Sequence, residues 1–379
     1  MIIIMSYSAT FPLSQREQYN PNENVDFTLQ FAGKEILVNS IAITGKLVVL
    51  ADGVEQLVGL NQDIRYDAFA GAHSLFQNIT TSFNDRIVEN FQHYPRYVKM
   101  LDTASDDNVG AMATSMKACE LKFHTGDSSE DDSQGTNAVL SLPEDLPNGG
   151  RSFCIKPKVC FNNTTQNLGF SQTGEIKITL QLSSAKQAIF GNDTTNNTSY
   201  YLTDLELLYR TIPEQPKPNK TTMTVFSNLK QIVSSNNQVL NVMAPIPTTS
   251  LSCSFCLLTK ESDETQNYLS FDNLPEFSRV EFTINDVNQG IIEYPIEHVE
   301  EVLLNYALSL TGQLPGRLVG RQCYAPNYLT AVRDNVLGVG LWYEQILQNT
   351  KMSVNLQASG VSNVNQYACY MYFKGMVVF

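Results

Sequence analysis

"FNDRIVENFQHYP" at residues 83–95 and "INDVNQGIIEYP" at residues 284–295 are two loose copies of one phrase, about two hundred residues apart. Each has an apolar run, an Asn-Asp pair, a second β-rich run and then Tyr-Pro. Asn and Asp tolerate left-handed backbone, so Asn84-Asp85 and Asn285-Asp286 read as turns leading into the next strand rather than as catalytic acids. Behind each Tyr-Pro comes a segment with the pattern of a short helix, "RYVKMLDTA" in one half and "EHVEEVLLNYALSL" in the other. Further along, "IKITLQLSS" (176–184) matches "MSVNLQASG" (352–360), and "YYLTDLELLY" (200–209) matches "QYACYMYF" (366–373). β-Proteins reuse such words freely, and it is their shared order that argues for two copies of one β-module.

Working outward, alternating β-rich runs occur at 24–32, 36–50, 73–83, 119–124, 174–182 and 200–210, bounded by Gly, Pro, Asn and Asp clusters. "PEQPKPNK" (213–220) then breaks the pattern, because its prolines remove ladder donors and favour an extended linker. Strand signals resume at 236–243, 250–259, 280–286, 290–295, 338–345, 351–360 and 367–379. Seven or eight strands per module, with few short helices, predict an all-β chain. Residues 1–213 form a jelly-roll β-sandwich in this reading, and residues 214–379 a second jelly-roll-like β domain.

Bulk properties agree with a folded chain. At 379 residues it has room for two domains, and 42% hydrophobic against 17% charged residues is enough to build cores. A net charge of −13 argues against bulk attraction to nucleic acid or anionic lipid, and no sequence-specific nucleic-acid binding is expected. The opening "MIIIMSYSATFP" lacks a basic n-region and reads as a docking arm rather than a signal peptide. No apolar run approaches the ~20 residues of a membrane-spanning helix.

Motifs that carry chemistry are scarce. The seven cysteines are dispersed, as free thiols would be, and the one tight pair, Cys253 and Cys256, falls in an apolar run where strand alternation would send the two to opposite faces. His73, His93, His124 and His298 show no HxH or HExxH spacing, and neither GxSxG, a P-loop nor GxGxxG occurs. The acidic "GDSSEDDSQG" (126–135) lacks the spacing of a calcium loop, and Trp342 reads as core or interface. Sequons at Asn78, Asn162, Asn163, Asn192, Asn196, Asn197 and Asn219 come without an export signal. The expectation is therefore no enzyme, no cofactor and no metal.

The stretches "NENVDFTLQF", "LVNSIAITGKLVV", "GAHSLFQNITTSFNDRIVENFQHYP" and "SYYLTDLELLYRTIP" resemble the penton, or minor capsid, proteins of small icosahedral double-stranded DNA viruses, most of all those of Sputnik-type virophages. That resemblance implies a structural virion protein, assembled in the cytoplasm of an infected cell. It would form a homopentamer at the capsid vertex, with neighbouring major-capsid capsomers and other minor capsid proteins as partners. It also offers a second domain plan, one jelly-roll base with an upper domain inserted between roughly 110 and 330. Under it, Ile2, Ile3 and Ile4 of the arm and Arg317 and Arg321 of "PGRLVGRQ" are the candidate assembly contacts. Two alternatives stand beside it. The tandem repeat by itself favours a double jelly-roll major capsid protein forming trimeric, pseudo-hexagonal capsomers; a carbohydrate-binding lectin or a glycosidase would need paired carboxylates, and Glu281, Glu293 and Glu344 show no such pairing.

Overall fold

The computed structural model describes residues 6–31, 33–56, 65–66, 72–98, 151–164, 166–169, 174–190, 198–213, 222–234, 239–245, 250–260, 276–285, 287–293, 339–342, 351–359 and 366–378. Up to Pro213 the strands are β1 (Ser6–Thr10), β2 (Asn24–Phe31), β3 (Lys34–Ile36), β4 (Ala42–Ala51), β5 (Val54–Gln56), β6 (Arg65–Tyr66), β7 (Phe76–Phe83), β8 (Arg86–Phe91), β9 (Arg151–Ile155), β10 (Leu168–Gly169), β11 (Gly174–Leu182), β12 (Ile189–Phe190) and β13 (Thr198–Pro213). From Thr222 on they are β14 (Thr222–Ser234), β15 (Val239–Pro245), β16 (Ser250–Lys260), β17 (Glu276–Ile284), β18 (Val287–Glu293), β19 (Val339–Trp342), β20 (Lys351–Ser359) and β21 (Gln366–Val378).

Two connectivities coincide. Before Pro213, β1, β13, β4 and β9 lie side by side in one sheet, with β3, β5 and β10 as additions, and β2, β11, β7 and β8 form the other. After Thr222 the sheets are β14-β21-β16-β19 and β15-β20-β17-β18. Replace each strand of the first set by its counterpart in chain order and the second set results. Successive strands change sheet except at one hairpin in each sandwich, and the last strand lies inside the sheet of the first, which is the jelly-roll arrangement of a two-sheet sandwich. The fold is thus all-β with few short helices.

The hairpins formed by the fourth and fifth strands of each set, β7–β8 and β17–β18, show the repeat at single-residue scale. Asn84 and Asp85 have φ of 47° and 62°, and Asn285 has φ of 49°, as a two-residue hairpin turn requires. In β7–β8 the register skips Val88 between Ser82↔Ile87 and Thr81↔Glu89; in β17–β18 it skips Gln289 between Thr283↔Asn288 and Phe282↔Gly290. Both hairpins therefore carry a bulge at the same distance from the same turn. A bulge inverts the faces beyond it. That is why Ile87 is 63% exposed while Glu89 and Phe91 are buried.

Period-two burial fills the first sandwich. Val25, Phe27 and Leu29 of β2 and Ile176, Ile178, Leu180 and Leu182 of β11 face Ile43, Leu47 and Val49 of β4 and Tyr200, Leu202, Leu205 and Leu207 of β13 in one core. Each such side chain contributes roughly 1.5–3 kcal/mol. The odd step from Leu202 to Leu205 is possible because the ladder skips between Thr203 and Glu206, where Asp204 has φ of 51° and its carboxylate meets Lys46 Nζ at 2.7 Å. Opposite this irregularity sits Gly45. A Cβ there would lie 2.7 Å from Leu205 Cδ2 and 2.8 Å from Phe153 Cζ, so the position admits no side chain without displacement.

Strands β1, β5, β6, β9, β10, β12 and β14 are additions to the sequence reading, whereas β8 is the second β-rich run of the repeated phrase. Residues 6–10 were expected in a docking arm, and Ser6–Thr10 pair with Leu207–Thr211 of β13 in the same chain. Residues 119–124, expected as a strand, lie outside the described residues, as do residues 214–220 of the linker.

Candidate functional site: the seam between the two sandwiches

The aromatic residues that close the first phrase do not finish in their own sandwich. Tyr94 and Pro95 open a helical turn over 94–98, where proline is at ease because the first turn needs no N–H donors. Phe91, Tyr94 and Tyr97 are buried, and their rings meet edge-on or tilted: Phe91 lies 5.8 Å from Tyr94 and 4.7 Å from Tyr97 between centroids. Beyond them stand two tyrosines of the C-terminal strand. Tyr372 is 6.0 Å from Phe91 and 5.7 Å from Tyr97, and Tyr370 is 4.9 Å from His93. The Arg96 guanidinium carbon lies 5.4 Å from the Tyr370 ring centroid, a cation–π contact. Tyr370 and Tyr372 are 0% and 2% exposed and belong to the same core cluster as the first sandwich.

A second strip runs beside these rings. Residues 160–162 form one turn of 3-10 helix, after which Thr164 bridges to Met223 of β14 and Asn163 carbonyl accepts from Thr224 N–H at 3.3 Å. What holds this strip is a buried polar set on the first sandwich. The Glu89 carboxylate, 2% exposed, accepts from Cys160 N–H at 2.9 Å, and Thr81 Oγ1 lies 3.3 Å from Cys160 Sγ. Asn162 adds three bonds, accepting from Ile41 N–H at 3.0 Å and donating to the carbonyls of Ile41 and Pro157, both at 2.9 Å. Tyr94 hydroxyl accepts from Lys158 N–H at 3.0 Å and pairs with His73 Nδ1 at 2.8 Å. Every one of these bonds replaces water at a buried group, where leaving it unmade costs about 1–3 kcal/mol.

Electrostatics follow from burial. The Cys160 thiol is pushed well above its ordinary value, first by desolvation and then by the neighbouring Glu89 carboxylate. The Tyr97 phenol is raised by the same two causes in the same order. Neither group is a nucleophile or acid in the physiological range. The seam is built for adhesion rather than for chemistry.

Among the described residues, no group of three or more His, Cys, Asp or Glu is placed to hold a metal, and no helix is long and apolar enough to cross a membrane. Cys256 sits at a register skip of β16, between Phe255↔Met371 and Leu257↔Tyr370, so the strict alternation assumed for the Cys253–Cys256 pair fails there. Glu281 bonds Asn288 on the neighbouring strand at 2.8 Å. The five residues predicted as assembly contacts, Ile2, Ile3, Ile4, Arg317 and Arg321, lie outside the described residues, as do Glu344, His298 and the 126–135 segment. Sequence reasoning missed Phe91, Tyr97, Tyr370 and Tyr372 as partners. Their only signal was aromatic density in two of the repeated words.

No known family profile and no curated protein sequence matches the chain. Solved structures do. The major capsid protein of Faustovirus aligns over 100% of this chain and 90% of its own, at TM-score 0.56 and 11% identity. A chain in the cryo-EM structure of the Sputnik virophage aligns over 99% and 85%, at TM-score 0.60 and 11% identity. The mavirus major capsid protein aligns over 98% and 88%, at TM-score 0.52 and 11% identity. At such identities the likeness is one of fold, and it spans both sandwiches: this chain has the jelly-roll architecture of viral major capsid proteins.

Proposed function

We propose that the chain is a structural capsid protein, the double jelly-roll major capsid protein of an icosahedral double-stranded DNA virus, with residues 1–213 and 214–379 as tandem jelly rolls. It acts in the virion by packing against copies of itself, with no catalytic step. The observation that carries this is the repeated eight-strand connectivity, joined within one chain by an aromatic seam. A paired sandwich gives each subunit two similar, laterally packing blocks, so that three subunits present six to their neighbours. The end-to-end likeness to the Faustovirus and mavirus major capsid proteins supports the same choice.

This reading replaces the pentameric vertex protein as the preferred one. The strand words that resemble pentons lie in the first sandwich, and a tandem second sandwich of the same plan is what a trimeric capsomer subunit calls for. Native mass of the purified chain with negative-stain class averages tests it. Three copies with a hexagonal outline are expected. Five copies in a ring would restore the vertex reading, and a monomer that binds glycans would restore the lectin.

A further inference from the structure

Two overlapping sequons, Asn162-Asn163-Thr164 and Asn163-Thr164-Thr165, fall on the strip that ties the sandwiches together. A sequon used as an acceptor sits on the surface, because the glycan it carries is bulky and hydrophilic. Asn162 is the opposite case. It is 6% exposed, and the fold engages its whole side chain: Oδ1 accepts from Ile41 N–H at 3.0 Å, and Nδ2 gives one hydrogen to the Ile41 carbonyl and one to the Pro157 carbonyl, both at 2.9 Å. Asn163 follows the same habit, its Nδ2 donating to the Val159 carbonyl at 3.1 Å.

N-linked glycosyl transfer is incompatible with that pattern. In the step, Nδ2 bonds to the anomeric carbon of an oligosaccharide held on a lipid diphosphate. The carbon–oxygen bond to the diphosphate breaks, the lipid diphosphate leaves with the electron pair, and one amide proton passes to a base of the transferase. The product amide keeps a single N–H, so one of the two carbonyls that Asn162 serves would lose its donor. The first sugar would also need the space beside Ile41, which has no exposed surface. Transfer takes place on an extended acceptor, before folding can hide the amide. A glycan on Asn162 therefore keeps the 160–162 turn off the start of β4, and with it the Thr164–Met223 bridge and the bond from Thr224 N–H to the Asn163 carbonyl.

We propose that Asn162 is a modification site whose use and whose burial exclude one another, so that the chain reaches its fold only in a compartment without N-linked glycosyl transfer. This goes beyond the reading of the chain as a capsid subunit and is independent of copy number. A convenient handle lies next door. Thr164 completes the first sequon, yet it is 7% exposed and its Oγ1 meets no hydrogen-bond partner among the described residues, so Thr164→Val erases the signal and leaves the bonds of Asn162 in place.

Expression of the full chain behind a cleavable export signal in a eukaryotic cell line tests this, beside the same chain made in the cytosol. In both, the hydroxyl residues of the other sequons, Thr80, Thr194, Thr198, Ser199 and Thr221, are replaced by Val or Ala. Peptide mass spectrometry reads occupancy at Asn162 and Asn163, while native mass and protection of Cys160 from iodoacetamide read the fold. The exported chain is expected to carry a glycan there, to lose the native mass of the cytosolic chain and to label at Cys160. Thr164→Val with Thr165→Val is expected to restore both. Arg86→Thr, added to that pair, makes Asn84 in the exposed turn an acceptor and is expected to add a glycan with no loss of fold. An exported chain that folds, whether glycosylated or bare at Asn162, overturns the proposal. So does a Thr164→Val/Thr165→Val chain that fails to fold in the lumen, or an Asn84 glycan that unfolds it. Should the background replacements themselves unfold the cytosolic chain, the comparison is made with those sequons intact and occupancy assigned site by site.

Discussion

Glu89 and Gly290 occupy one register position in two hairpins, each the first pairing beyond the bulge, Glu89 opposite Thr81 and Gly290 opposite Phe282. The sandwich plan therefore has no need of a carboxylate there. Its role is local to the first sandwich, where it fixes the strip that reaches β14.

Glu89→Ala is expected to destabilise the chain by about 1–3 kcal/mol, the cost of leaving the buried Cys160 N–H without its acceptor. Chemical denaturation reads the change. An unaltered midpoint would mean that the carboxylate does not hold the strip.

Cys160 should resist alkylation. Its thiol is fully buried and its ionisation is opposed by burial and by Glu89, so the thiolate is scarce and out of reach. Native chain treated with iodoacetamide and digested should yield unmodified Cys160, and denatured chain the labelled residue. Rapid native labelling would contradict the packing.

Across the seam, Phe91→Leu and Tyr372→Leu should not be additive. Aromatic pairs in contact are worth about 0.5–1.5 kcal/mol beyond area, and a double-mutant cycle isolates that coupling. Tyr372→Ala, which removes the ring from both Phe91 and Tyr97, should cost about 3–5 kcal/mol. Calorimetry should then resolve two unfolding transitions where the wild type shows one.

Tyr201 donates to Glu55 Oε1 at 2.6 Å, and this bond, with burial and the carboxylate's charge, pushes its phenol from the ordinary 10 to about 12. A phenol whose folded value is raised binds its proton more tightly in the folded state. Its stabilisation is full below pH ~10 and is lost as pH rises through about 12. The stability difference between wild type and Tyr201→Phe should therefore shrink over that window, and a constant difference would exclude the bond as its source.

Gly45→Ala should lower stability by about 1–3 kcal/mol, because a Cβ would meet Leu205 and Phe153 inside ordinary contact distance. Coupling it to Leu205→Ala should recover part of the loss in thermal melts.

Much of this was legible in the sequence. Period-two alternation located β2 and β11 almost to the residue and the middle of β13, because each is half-buried and its hydrophobic face is plain. The Asn-Asp turns were legible for a different reason, the side-chain chemistry of positive φ. What alternation could not give was anything past a bulge. Plain alternation through "RIVENF" would set Ile87, Glu89 and Phe91 on one face, whereas the skip at Val88 leaves Ile87 exposed and sends Glu89 and Phe91 inward. Strand β14 was missed because "TMTVFSNLKQIVS" is too polar to announce itself, and its ladder partner is the C-terminal strand far along the chain. The seam was illegible for the same reason: its two sides, at residues 91–97 and 370–372, are joined only by tertiary pairing.

The place of β21 sets an order of events during synthesis. It lies between β14 and β16 inside its sheet, and it supplies both seam tyrosines, yet it follows both of those neighbours and β17 to β20 in sequence. Until it leaves the ribosome, the second sandwich lacks an inner strand and the aromatic wall of the first has not met Tyr370 and Tyr372, so a chain cut short before Gln366 displays a sticky face instead of a finished block. Synthesis of β21 is in this way a licence to assemble: only a subunit that carries it has closed its internal seam.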